Sequence, residues 1–301
     1  MRYTPPRPKR LGRWAAAATS ALLAASAAVA VTTSGHASAS AMPTGDPTTS
    51  SLIHRLDSVP AKQRPTIVLV HGAWADSSSW RGEMDTLQAA GYSVRAVGNP
   101  LENLTTDAEF VADFLKTIRG PIVLVGHSYG GAVITNAATG NPDVRALVYV
   151  DAAAPAPGET NGQLSGSDSI LAKDTPAQLF TTTAIPGAPA GDSELYLNEN
   201  IFVRNFANDL PPSEAEELWA SQRGAAQAAF DTPSKTAAWK TIPSWYFIST
   251  GDQIITPTSE LAMAKRAHSH ITLFQGGSHL TLISHPNAVT ATIASAVLSV
   301  R

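Results

Sequence analysis

Residues 126–131 read Gly126-His127-Ser128-Tyr129-Gly130-Gly131, directly after the apolar run Ile122-Val-Leu-Val125. A serine in a Gly-x-Ser-x-Gly pattern between a strand and a helix occupies a sharp turn that exposes its hydroxyl. A Cβ two positions before or after the serine would collide with that turn, so Gly126 and Gly130 are required there. The following helix aims its N-terminus at the site and favours negative charge on a reacting oxygen. A phosphate-binding turn would need G-x-G-x-x-G spacing or a P-loop lysine, and the segment has neither. Ser128 is the candidate nucleophile for acyl transfer.

A serine hydroxyl is a weak nucleophile and needs a base, which in turn needs an orienting carboxylate. Late in the chain stand His268, His270, His279 and His285. His268 and His270 border the apolar run Ile271–Phe274, and His285 precedes Pro286 at the start of the last helical pattern. His-Ser-His at 268–270 has the look of a metal pair but has no acidic ligand beside it. His279 lies in Gly276-Gly277-Ser278-His279, the loop past the last strand, and is the preferred base. Two acids follow strand ends: Asp252 in Thr250-Gly251-Asp252, and Asp151 directly after Val150. The order Ser, Asp, His allows either. Asp252 is preferred, and Asp151 is read as a buried hydrogen-bonding or cap-anchoring residue.

An oxyanion formed on the substrate needs two backbone N–H donors. Tyr129, directly after the nucleophile, supplies one. The loop His71-Gly72-Ala73-Trp74 after the first strand supplies the other, and Ala73 is the candidate. His71 is read as a loop-fixing hydrogen-bonder, and Trp74 as lining the substrate pocket.

These residues need a scaffold that brings strand ends together. Strands are predicted at Thr66–Val70, Tyr92–Val97, Ile122–Val125, Ala146–Val150, Ser244–Ser249 and Ile271–Phe274. Helices are predicted at Trp80–Ala90, Asp107–Ile118, Ala132–Ala138, Thr258–Ala267 and Asn287–Val300. Strands alternating with helices imply an α/β fold: a mostly parallel, doubly wound sheet of about six strands with helices on both faces. Residues 152–240 break the rhythm after the fourth strand, with helical patterns at Asn198–Phe206 and Ser213–Ala229. They form an inserted cap over the carboxyl ends of the strands, where open α/β sheets bind ligands.

His71-Gly72-Ala73-Trp74, Gly126–Gly131, Gly251-Asp252 and Gly277-Ser278-His279 together resemble the α/β-hydrolase superfamily over roughly 65–300. The closest resemblance is to the compact branch holding plant methyl-ester esterases and hydroxynitrile lyases. It implies Ser128 as nucleophile, Asp252 as acid, His279 as base, the N–H groups of Ala73 and Tyr129 as oxyanion donors, and a mostly helical cap. Hydroxynitrile lyases of that branch carry lysine directly after the catalytic histidine, where this chain has Leu280. Dehalogenases and epoxide hydrolases of the superfamily carry aspartate where Ser128 stands.

The expected activity is hydrolysis of carboxylic esters of small to medium apolar molecules through an acyl-enzyme, with no metal or organic cofactor. The alternatives are a lactonase or amidase on the same three side chains, or a ligand-binding homologue with little turnover. The cap supplies apolar residues such as Phe180, Phe202, Phe206 and Phe230, and no Arg/Lys cluster that would hold a phosphate.

The chain has 301 residues and no cysteine, which excludes disulfides, thiolate metal sites and a cysteine nucleophile. Residues 1–41 carry five basic residues and no acidic one. The rest holds the other 16 of the 21 basic residues against 24 acidic ones, a balance of −8. Such a body is a poor nucleic-acid binder. The basic stretch to Arg13, the Ala-rich run Trp14–Val31 and the small residues Ala37–Ala41 read as a secretory signal peptide over 1–41, cleaved after Ala39 or Ala41. Residues 42–64 read as a linker to the domain at 65–301. The expected product is a secreted protein with no stable membrane association after cleavage.

Overall fold

Apolar runs, buried at the centre of the sheet and exposed at its last edge, build the core sheet. The computed structural model describes residues 47–188 and 192–300. The signal peptide expected over 1–41, with its cleavage position, lies outside the described residues. Strands β1 (Thr66–Val70), β2 (Val94–Val97), β3 (Ile122–His127) and β4 (Val144–Val150) form the first half. Strands β5 (Phe180–Ala184), β6 (Ser193–Leu197) and β7 (Ala225–Ala226) lie in the insertion, and β8 (Ser244–Ser249) and β9 (His270–Phe274) complete the set. The main sheet has the order β2-β1-β3-β4-β8-β9, and all five pairings are parallel. This is the mostly parallel six-stranded α/β sheet with flanking helices that the sequence predicts.

Amphipathic helices cover the sheet. Helix Leu104–Leu115 buries Leu104, Ala108, Val111 and Leu115 at three- and four-residue spacing and leaves Phe110 exposed. It starts earlier than the apolar period suggests because the Asn103 side chain accepts the Thr105 and Thr106 N–H groups. The last helix, Pro286–Ser299, is buried along most of its length.

The order of strands decides which loops meet. β1 and β3 are neighbours, with Val70 paired to Gly126, so the loop after β1 lies beside the turn after β3. The loops after β4, β8 and β9 follow along the same rim.

Two segments differ from expectation. Residues 42–64 are not a free tether from position 47 onward. A helix spans Pro47–Arg55 and packs on the last helix, Leu56 is fully buried, and its carbonyl accepts the Tyr92 hydroxyl at 3.1 Å. The proline and Ser/Thr signals read as a linker are equally those of a helix start. The insertion is not mostly helical either. β5, β6 and β7 form an antiparallel sheet, with short helices around it. The helix expected over Ser213–Ala229 stops at Ala220, and Ala225 and Ala226 pair with β6 instead.

Candidate active site

The turn after β3 places Ser128 at φ 53° and ψ −124°, a left-handed backbone at the foot of helix Tyr129–Ala137. A Cβ added at Gly126 would lie 2.5 Å from the Gly130 carbonyl oxygen, and one at Gly130 would strike the Val70 carbonyl. Backbone cannot yield as a side-chain tip can. Gly126→Ala is therefore expected to cost about 1–3 kcal/mol of stability and, by shifting Ser128, about 10²-fold in turnover. Chemical denaturation and ester kinetics check both.

Ser128, His279 and Asp252 meet although 151 and 27 positions separate consecutive partners. His279 Nε2 is 2.7 Å from Ser128 Oγ, and His279 Nδ1 is 2.6 Å from Asp252 Oδ2. Asp252 Oδ1 accepts the Ile254 and Ile255 N–H groups at 2.7 and 3.2 Å. All three side chains are buried. Burial pushes the Asp252 carboxyl well above the usual carboxylate range, against the pull of those two N–H groups. Burial holds the His279 imidazole down at about 3.

Asp151 does not reach His279. It accepts the Ser249 N–H at 2.7 Å, on the neighbouring strand β8. His270 stacks on Trp245, and His285 lies 3.6 Å from Asp209 and 2.8 Å from Ser284 Oγ. His268 takes a left-handed backbone at φ 52° after helix Pro257–Arg266. Asp151, Asp252 and Glu260 are the one group of three potential metal-ligating side chains found among the described residues.

The loop after β1 passes directly over Ser128; a Cβ at Gly72 would lie 2.5 Å from Ser128 Cβ. His71 fixes this loop. The Asn99 N–H donates to its Nε2 at 2.9 Å, so Nδ1 carries the proton and donates to the Gly72 carbonyl at 2.8 Å. Burial lowers the His71 imidazole to about 4, which keeps it in that neutral form. Among the described residues no acceptor is bonded to the Ala73 N–H. The Tyr129 N–H is the first of its helix and has no intrahelical partner.

Trp74 takes φ 58° and is nearly fully buried. Its indole stacks between Phe180 and Phe230, at centroid distances of 5.7 and 5.3 Å, and donates to the Leu195 carbonyl of β6. Phe206 lies 5.0 Å from the His279 ring. The insertion thus lays aromatic rings against Trp74 and His279. A cleft of about 340 Å³ beside these rings is lined by Trp74, Phe202, Phe206, Leu218 and Leu280, and also by Asp76, Arg81 and Asp85.

Two positioning residues escaped the sequence reading. His127 stands at an unspecified position of the pattern, yet its Nε2 is 2.7 Å from the His279 carbonyl, to which it donates. The Tyr129 hydroxyl donates to Asp107 Oδ2 at 2.8 Å, and burial pushes that carboxyl up to about 6. Both residues flanking the serine are anchored, but no spacing rule links His127 or Asp107 to its distant partner.

A model of the alpha/beta hydrolase family matches residues 67–293. A carbendazim hydrolyzing esterase of Nocardioides sp. strain SG-4G is 38% identical over 107 residues, 31% of this chain and 44% of that protein. A pyrethroid hydrolase of Sphingobium wenxiniae is 28% identical over 248 residues, 76% of this chain and 86% of that one. Among solved structures, a methylesterase from Arabidopsis superposes with a TM-score of 0.64 at 18% identity, covering 78% of this chain and 99% of its own.

Proposed function

The chain belongs to the alpha/beta hydrolase family, and from that premise we propose that it is a serine esterase cleaving carboxylic esters of small to medium apolar molecules. The observation that carries this reading is the unbroken line Ser128–His279–Asp252, at 2.7 and 2.6 Å. The names of the Nocardioides esterase and the Sphingobium hydrolase point the same way.

Asp252 offers acceptors to three N–H groups, so it selects the His279 tautomer with the proton on Nδ1 and leaves Nε2 free to accept. Nε2 takes the Ser128 proton as Oγ attacks the ester carbonyl. The Ala73 and Tyr129 N–H groups receive the developing oxyanion, aided by the helix N-terminus. His279 then protonates the leaving alcohol, and the acyl-enzyme forms. Water, deprotonated by the same Nε2, attacks the acyl carbon and releases the acid. None of these steps calls on a metal or organic cofactor.

The aromatic rings and the cleft walled by Trp74, Phe206 and Leu280 favour an apolar acyl or alcohol group. Leu280, buried beside His279, has no charge with which to serve cyanohydrin chemistry. The basic and Ala-rich N-terminal stretch supports export, with the mature chain starting at Ser40 or Met42. Among the described residues no helix is long and apolar enough to cross a membrane.

A series of p-nitrophenyl esters from acetate to decanoate tests the reading. The expected result is turnover that rises and then falls as the acyl chain outgrows the cleft. Absence of turnover on every ester, with cleavage of a lactone or anilide series instead, would reassign the substrate class.

Burial also fixes the pH response. A free imidazole titrates near pH 6.5, whereas His279 is held down at about 3. As pH falls, the base therefore stays unprotonated past the ordinary histidine range. The acid limb of kcat/KM is therefore expected below the midpoint of a free imidazole. An acid limb centred near pH 6.5 would contradict it.

A further inference from the structure

Behind Asp252 lie two more carboxyls. Oxygens of Asp151, Asp252 and Glu260 fall within 4.8 Å of one another, and all three residues are buried. Among the described residues no ion pair reaches Asp151 or Glu260. Three negative charges at that spacing, out of water and without a cation, cannot coexist.

The hydrogen bonds identify one of the groups that holds a proton. Thr281 Oγ1 is 2.6 Å from the Ser278 carbonyl oxygen, which only accepts, so the Thr281 proton is spent there. Ser249 Oγ is 2.7 Å from Thr281 Oγ1, and the proton between them must come from Ser249. A hydroxyl has one proton to give. The remaining contact, Ser249 Oγ to Asp151 Oδ2 at 2.9 Å, has no proton left unless Asp151 supplies it. The other Asp151 oxygen accepts the Ser249 N–H at 2.7 Å, as a carbonyl oxygen does.

We infer that Asp151 is a neutral carboxylic acid, protonated on Oδ2, whose proton begins a chain through Ser249 and Thr281 to the Ser278 carbonyl and so fixes the loop bearing His279. Its role in turnover rests on the serine-esterase reading; its protonation does not. Burial first and the neighbouring Asp252 second push this carboxyl well above the usual range, in the same direction. The chain holds the loop one residue before His279, while His127 holds the His279 carbonyl itself. Asp151 is thus a positioning residue, and its neutrality removes one like charge from beside Asp252. A cation shared by the three acids is the competing arrangement. It would need an ionised Asp151, and Asp252 already spends its oxygens on Ile254, Ile255 and His279.

The test has two readouts. An infrared difference spectrum between wild type and Asp151→Asn at neutral pH should show loss of a carboxylic-acid C=O band. Loss of a carboxylate band instead would overturn the inference, whether the cause is a bare anion or a bound cation. In ester kinetics, Ser249→Ala and Asp151→Ala should each lower kcat on the order of tenfold with KM little changed. Asp151→Asn should restore kcat to within about threefold of wild type, because an amide N–H can donate along the same line and its oxygen can still accept. Asn also tolerates the φ of 44° at this position. Asn damaging turnover as much as Ala would overturn the inference. If Asp151→Ala does not fold, Ser249→Ala and the infrared spectrum still decide. If wild type hydrolyses no ester, the esterase reading falls, and the spectrum still settles the proton on Asp151.

Discussion

Ser128→Ala should lower kcat on p-nitrophenyl butyrate by at least about 10⁴-fold while leaving the fold intact. The substitution removes one oxygen and keeps the Cβ. It leaves untouched the contacts that set the turn: the Ser128 N–H on the Val150 carbonyl at 3.2 Å, and the Ser128 carbonyl accepting from Gly131 and Ala153. The oxyanion donors also remain, so a residue of catalysis over water survives through transition-state binding alone. The acyl-enzyme cannot form, so the burst of p-nitrophenol should vanish with the steady state. Stopped-flow absorbance checks this, with circular dichroism as the folding control. A variant retaining a tenth of wild-type turnover would show that another nucleophile acts.

Asp252→Asn should cost about 10⁴-fold in kcat, because the substitution selects the wrong imidazole tautomer. The Ile254 and Ile255 N–H groups hold Oδ1 as an acceptor, so the asparagine keeps its carbonyl oxygen there. Its NH₂ then faces His279 Nδ1, where a carboxylate oxygen accepts at 2.6 Å in wild type. Two donors cannot share that contact. The ring therefore shifts its proton to Nε2, and Nε2 can no longer take the Ser128 proton. Titrating kcat/KM against pH for both proteins checks the cause, because the loss should persist across the whole range. A loss under about tenfold would remove Asp252 from the mechanism. Set beside the near-neutral Asp151→Asn variant, it separates two buried aspartates that follow neighbouring strands.

The main sheet was legible because its strands announce themselves. Thr66–Val70 is an unbroken apolar or β-branched run, Ser244–Ser249 brackets four apolar residues with serines, and the strands have those same bounds. The chemistry follows from this, since each candidate residue lies just past a strand end and parallel strands share one carboxyl rim. The choice between Asp151 and Asp252 was less legible, because both stand at such an end and chain order permits both. What separates them is a turn of backbone after β8 that aims the Asp252 carboxyl at His279, and no residue type encodes that direction. The insertion was read least well. Ala225 and Ala226 carry strong helix propensity, yet they pair with Leu195 and Glu194, and the Ala226 N–H reaches the Leu101 carbonyl. Tertiary contacts outweigh propensity there. Phe180–Ala184 is Thr-rich, but mostly exposed, so it shows no alternation of apolar residues to mark it as a strand.

A fluorophosphonate probe, which phosphonylates only an activated serine, tests the Ser128–His279–Asp252 mechanism most directly. One adduct per chain is expected, on the peptide carrying Ser128, lost in Ser128→Ala and strongly slowed in His279→Ala. A folded wild-type protein that takes up no probe, or takes it up on a different serine, would contradict the mechanism.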